Sequence, residues 1–337
     1  MTNNNYNIFS FIYPDQNDSL SNLTKNELIE FLELLDQYKL EYRPRLSLSE
    51  RDTFGLEIEC EYISNPIVTY DLAQLNLHDT WKVVRDSSLR IGMEAVSPVL
   101  CDGQNTWEDV YKICHFLDGE SHSVEQAAAH VHVGAHILRN EESFMNFLRL
   151  WSTYENIVFR FGYGETSNNR SSITKYAKES SVDYWKKAYS IERFKLSYNE
   201  IIELLKGSRY ISVNFNNVSR NTNEFKNGNT IEFRCANGTL NPIIWQNLVN
   251  LYIRMLHKAN DIDPDIIIKR HKMVEKYLGD LSIYNEIFLD QALEFVDLVF
   301  DNNLDKIYFL SQYLKRFKVN YDSKKDAHFT RILTKTN

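Results

Sequence analysis

The stretch Thr53–Tyr62, T-F-G-L-E-I-E-C-E-Y, constrains the fold of this chain more than any other. Successive side chains of a strand point to opposite faces. Phe54, Leu56, Ile58, Cys60 and Tyr62 therefore form one apolar face, and Glu57, Glu59 and Glu61 line the other. Carboxylates in a row along one pleated face repel each other, which is tolerable where the face is solvated or where cations sit between them. Gly55, on the Glu face, leaves room for a close approach to the backbone. An edge strand with a wet acidic face satisfies the same pattern, so the stretch gains chemical meaning only from what surrounds it.

The chain has 337 residues, 43% hydrophobic and 25% charged, enough for a substantial core in one large or two smaller domains. A net charge of −8 argues against a nucleic-acid partner. Cys60, Cys101, Cys114 and Cys235 are scattered with no C-x-x-C, so neither a zinc ribbon nor a disulfide framework is expected, and a cytoplasmic location is. No apolar run of membrane-spanning length and no leader pattern occurs, so no membrane partner is expected.

Read in order, the polar, Asn-rich start is expected to be loosely ordered to about Ser21. The capping box Thr24–Glu27 opens a helix over 25–38. After a turn near Asn65-Pro66 and a weak helical stretch over 70–77, strands over 81–85 and 92–99 form a hairpin around Asp86-Ser87-Ser88. A helix over 106–117 leads to a strand over 128–138, with Val131, Val133, Ala135 and Ile137 on one face and His130, His132, Gly134 and His136 on the other. A long helix over 141–161 precedes a polar loop holding Arg170. A second capping box, Ser197–Glu200, opens a short helix that ends at Gly207. Strands over 209–215 and 230–235 make a long-looped hairpin, Pro242 starts a helix running to about 258, and three helices are expected over 263–317 before a solvated tail beyond Asn320.

Functional groups thus recur on one face of separate strands: Glu57 with Glu59, His130 with His132, and Glu232 with Arg234, while Glu94 lies on a fourth. In a shared sheet these faces converge. Oxygen-rich ligation favours Mg²⁺, and an imidazole moves the preference slightly toward Mn²⁺. Arg170, Arg209 and Arg234 offer forked donors for phosphate or carboxylate, and metal, arginine and carboxylates together are the equipment of phosphoryl transfer. Each motif also has an ordinary reading. A strand His-x-His is commonly a packed or surface pair, a His ladder suits zinc equally, Glu232 and Arg234 make a simple ion pair, and Asp86 is a turn residue.

The ordered set F-G-L-E-I-E (54–59), R-D-S-S-L (85–89), G-M-E-A-V-S-P (92–98), H-V-H-V-G (130–134), R-Y-I-S-V-N (209–214) and T-I-E-F-R-x-x-x-G-T-L-N (230–241) resembles the amidoligase family, which is related in fold to glutamine synthetase and γ-glutamylcysteine synthetase. The resemblance covers about Phe54 to Lys258. Asp86-Ser87-Ser88-Leu89 stands where the family usually has D-G-S-L, and Ala127-Ala128-Ala129 where it has a C-G-L type approach.

The resemblance implies an ATP-dependent carboxylate–amine ligase working through an acyl phosphate, on small-molecule or peptide carboxylate and amine substrates. It implies that Glu57, Glu59, Glu94, Glu232 and His130 hold Mg²⁺ or Mn²⁺ and that His132 contacts the nucleotide phosphates. Arg170 and Arg209 would stabilise the transferred phosphoryl group, Arg234 would bind phosphate or substrate carboxylate, and Asp86 and Asn214 would position substrate. The expected fold is α+β and glutamine synthetase-like: a curved, mainly antiparallel sheet cradling the site, helices outside and a C-terminal helical extension. The expected division is an N-terminal segment over 1–50, a catalytic domain over 51–260 and the extension over 261–337. A metal-dependent hydrolase and a non-catalytic nucleotide-binding protein are the alternatives, and oligomeric state is left open.

Overall fold

A computed structural model describes residues 16–61, 69, 72–89, 91–119, 125–219 and 228–316. Its strands are β1 (Thr53–Glu61), β2 (Lys82–Asp86), β3 (Gly92–Val96), β4 (Leu100–Cys101), β5 (Ala128–Gly134), β6 (Val213–Asn214) and β7 (Thr230–Asn237). They form one sheet in the order β2-β3-β1-β5-β7-β6, with β4 also on β1, and every pairing is antiparallel. The architecture is mixed α and β. In place of the curved sheet that the resemblance implies, the sheet is open, because its path ends at β2 and β6 and no pairing among the described residues joins those edges.

Register decides which side chains meet. Glu59 stands opposite Glu94, Glu57 opposite His130, His132 opposite Glu232, and Glu232 opposite Asn214. Directly opposed residues of antiparallel strands share a face, so polar groups from five strands gather on one side of the sheet. Between Ala129↔Ala236 and Val131↔Phe233 the register shifts, leaving Arg234 and Cys235 opposite the single His130. Such a bulge bends the strand and re-aims side chains beside it.

The other face is core. Phe54 stacks on Trp107 of the helix Gln104–Gly119 at 5.4 Å, and Phe233 on Tyr252 of the helix Pro242–Ala259 at 4.0 Å. The helix Glu141–Gly162 is buried along nearly its whole length and packs against β7 and the helices Ser181–Phe194, Pro242–Ala259, Pro264–Val274 and Asn303–Tyr313. A helix enclosed on all sides needs apolar residues all round, which Phe144, Phe147, Leu148, Trp151, Ile157 and Val158 supply. Both capping boxes form, and Asn241 caps the helix that Pro242 opens. Leu289–Val299 and Asn303–Tyr313 join the same core, with Asn156 Nδ2 donating to Gln291 Oε1 at 2.9 Å. No helix among the described residues is long and apolar enough to cross a membrane.

Several expectations are corrected. Residues 16–22 are docked, not loose: Leu20 is buried in a short 3-10 turn, and the Leu20 and Ser21 amides donate to Asp297. β3 ends at Val96, ahead of Pro98, which has no amide to donate. β5 ends at Gly134 in a 3-10 turn, and this takes His136 out of the strand, its Nε2 donating to Arg51 O at 2.9 Å. The strand expected over 209–215 contracts to β6 because backbone groups before it are diverted to the loop at Lys178, with which Ile211 forms a parallel bridge. The helix Ser181–Phe194 has no counterpart among the expected elements. The turn near Asn65-Pro66, the start of the 70–77 stretch and the tail beyond Asn320 lie outside the described residues.

Candidate active site

The polar face of the sheet opens on a cavity of about 700 Å³, and every residue assigned a role from the sequence lines it. At its centre Glu57 takes both strand histidines. Oε2 lies 2.9 Å from His130 Nδ1 and Oε1 lies 3.0 Å from His132 Nε2. A carboxylate only accepts, so those two nitrogens carry the protons. Burial alone would push the Glu57 carboxyl up, but the hydrogen bonds and charge of the two histidines hold it well below the usual carboxylate range. For His132 burial lowers the pKa, and Glu57 and Glu232 more than reverse this, leaving it raised.

On one side of this centre the carboxylates crowd. Glu59 Oε2 accepts from the Ala128 amide at 2.6 Å, and its other oxygen lies 3.4 Å from His130 Nδ1. Glu94, opposite Glu59 in register, is pushed up to about 8 by burial and then by the charges of Glu57, Glu59 and Asp86. Burial likewise raises Glu59, against the pull of His130. Asp86 sits at the hairpin turn, accepting from the Ser88 amide and hydroxyl at 2.7 Å each. The carboxyls of this wall resist ionising together, a repulsion that a bound cation would relieve.

On the other side lie Glu232 and the arginines. Glu232 accepts from Asn214 Nδ2 at 2.7 Å and from Arg234 Nη1. Burial opposes its ionisation, and Arg234, His130 and His132 outweigh burial, so its pKa is lowered. Arg234 Nε also reaches Tyr176 O at 3.4 Å. Arg170 differs most from expectation: only 4% exposed, it donates to the carbonyls of Ala236 and Arg234, and burial lowers its pKa to about 10. Those bonds engage its guanidinium in holding β7 to the preceding loop. Arg209 is exposed at the cavity mouth, its Nη2 donating to Tyr210 Oη at 3.1 Å.

Ligand atoms of Glu57, His132 and Glu232 all lie within 4.8 Å of one another. Two carboxylates and an imidazole suit Mg²⁺ or Mn²⁺, so the residues present fit a divalent ion; the set includes His132, to which the resemblance gives a nucleotide contact. His130, donating to Glu57, stands beside this set and orients it. A second, mostly apolar cavity of about 350 Å³ shares Glu57 and His132 with the first and is walled by Leu56, Val96, Pro98 and Val99.

Sequence reasoning missed the residue that anchors the loops around this site. Glu155, fully buried in the central helix, accepts from Ser180 N at 2.6 Å, Ser181 N at 3.2 Å, Ser212 Oγ at 3.2 Å, Trp151 Nε1 at 3.0 Å and Tyr284 Oη at 3.0 Å. A lone acid amid Trp151, Tyr154, Ile157 and Val158 was the available signal, since a charge in an all-round apolar helix needs partners.

No curated protein matches the chain. Residues 52–256 match the model of a family described as "putative amidoligase enzyme".

Proposed function

Given that the chain belongs to the amidoligase family, whose activity is amide-bond formation, we propose that it is an ATP-dependent carboxylate–amine ligase. A substrate carboxylate oxygen attacks the γ-phosphorus of ATP and ADP leaves; the amine then attacks the acyl carbon, the C–O bond breaks with its electron pair on the departing phosphate, and the proton shed by the nitrogen leaves with that phosphate. The observation that carries this reading is the convergence of Glu57, His132 and Glu232 at the junction of a large charged cavity and a smaller apolar one. The apolar cavity suits a nucleotide base, the charged one the reacting carboxylate and amine.

Glu57, His132 and Glu232 would hold a divalent ion, with Glu59 and Glu94 next to it, and when bound that ion neutralises phosphate oxygens. The chain's own work is positioning. His130 fixes Glu57, Asn214 fixes Glu232, and Arg234 places a guanidinium beside the same carboxylate. A metal-dependent hydrolase is the second reading, supported by the same two-carboxylate, one-imidazole set.

Calorimetry of ATP binding with Mg²⁺, with Mn²⁺ and with chelator separates the two. The ligase reading expects metal-dependent ATP binding that Glu57→Gln abolishes while the variant stays folded. Absence of nucleotide binding in all three conditions, with tightly retained zinc, would replace it with the hydrolase.

A further inference from the structure

Two loops far apart in sequence are laced together at the mouth of the charged cavity. Lys178 N donates to Tyr210 O at 3.1 Å and Ser212 N to Lys178 O at 2.8 Å. The residues that follow each lacing point are held by one buried carboxylate, since Glu155 takes the Ser180 amide and the Ser212 hydroxyl. Tyr176 and Tyr210 are thereby brought edge to face at 5.6 Å. Lys175 Nζ lies over the Tyr176 ring at 4.6 Å, and the Arg209 guanidinium lies 5.1 Å from the Tyr210 ring centre. The result is a pre-formed aromatic rim bearing two cations on a chain whose net charge is −8.

Arg209 is the arginine this rim has to offer. Arg170 is engaged by backbone carbonyls and Arg234 by Glu232. Arg85 also lines the cavity, but from β2 at the opposite edge of the sheet and not from the Tyr176–Tyr210 rim. Arg209 donates to the neutral Tyr210 hydroxyl, and although the charges of Glu232 and Asp86 reach it, neither carboxylate forms an ion pair with it. A guanidinium held by an aromatic ring and lacking an acid is matched to a planar anion.

We propose that Arg209, framed by Tyr176 and Tyr210, recognises a second anionic group on the substrate, so that the enzyme acts on molecules carrying an acidic group besides the reacting carboxylate. This deepens the ligase reading and rests on it for the identity of the reacting group. It also gives Arg209 a substrate-selecting role in place of the phosphoryl-stabilising one that the family resemblance implies.

The test titrates matched probes into the full chain by calorimetry: glutarate against butyrate, and Ala-Glu against Ala-Gln. Wild-type protein is expected to bind at least one acidic probe about tenfold more tightly than its neutral twin, the scale of one charge-assisted hydrogen-bonded contact. In Arg209→Ala the ratio falls to about one while Mg-ATP affinity stays within about twofold, and Arg209→Lys keeps part of the preference. No acidic preference in the wild type, a preference that survives in Arg209→Ala, or an equal loss of Mg-ATP affinity overturns the proposal. Hydroxylamine, supplied with ATP and each probe, separates this from the ligase reading through hydroxamate formation. An Arg209-dependent acidic preference without any hydroxamate keeps the rim and removes the ligase, whereas hydroxamate formed equally from glutarate and butyrate keeps the ligase and removes the rim.

Discussion

His132 Nε2 lies 3.0 Å from Glu57 Oε1, so two members of the candidate ion set share a proton that an ion bound between them has to displace. Burial disfavours the imidazolium, but the Glu57 hydrogen bond and the Glu57 and Glu232 charges raise the His132 pKa above its ordinary value. Protons and metal therefore compete. Mn²⁺ affinity is expected to fall as pH drops from about 8 to about 6, with protons released on binding in the lower part of that range. Calorimetry in buffers of different ionisation enthalpy reads both quantities, and affinity that does not vary with pH would remove His132 from the ion set.

Glu155→Gln is expected to lower stability by about 3 kcal/mol. The variant keeps the shape and one acceptor oxygen, but its NH2 must face either the Ser181 amide and Tyr284 hydroxyl or the Ser180 amide and Ser212 hydroxyl, donors that need an acceptor. Urea unfolding measures the change. A loss under about 1 kcal/mol would mean that the loops are held by their own packing and not by this carboxylate.

Asp297 ties the N-terminal turn to the C-terminal helices, accepting from Leu20 N at 2.9 Å, Ser21 N at 2.8 Å and Lys306 Nζ at 2.9 Å. Burial would raise its pKa, but Lys306 and the Ser21 and Leu20 amides overcome burial and lower it. A carboxyl whose folded pKa lies below the unfolded one binds fewer protons when folded. Its stabilisation is complete above the unfolded value of about 3.8 and is lost as pH falls through the folded value. Asp297→Asn is thus expected to melt lower than wild type at about pH 7, with the two curves converging at about pH 3. Parallel melting temperatures across that range would show that the charge contributes nothing.

Much of the site was legible because strand alternation is a strict rule. Once Phe54, Leu56 and Ile58 are assigned to the core, Glu57 and Glu59 have one direction left, and the same holds for His130 and His132 between Ala129, Val131 and Val133. The capping boxes at Thr24 and Ser197 were legible for a similar reason: their partners lie three residues away. What could not be read depends on contacts between distant residues. Nothing around Arg170 announces that its guanidinium closes on the Ala236 and Arg234 carbonyls, and the parallel bridge from Lys178 to Ile211 that shortens β6 joins segments without any local pattern. That His132 lies with Glu57 and Glu232 follows from its pairing with Glu232, a property of register and not of composition. The helix Ser181–Phe194 is different, since Tyr184, Ala188 and Ile191 do repeat on its buried face; charged neighbours such as Asp183 and Lys187 diluted that repeat.

The antiparallel pairings of β1 with β5 and of β5 with β7 have a consequence for how this protein can fail. A slip of one residue in β5 would turn His130 and His132 into the core and expel Val131 and Val133, so a misregistered molecule would lose its packing along with its chemistry. Inheritance of the site is therefore bound to inheritance of the fold. Variants along β5 are expected to divide into those that fold with the histidines in place and those that are cleared as misfolded chains, with few stable bystanders between.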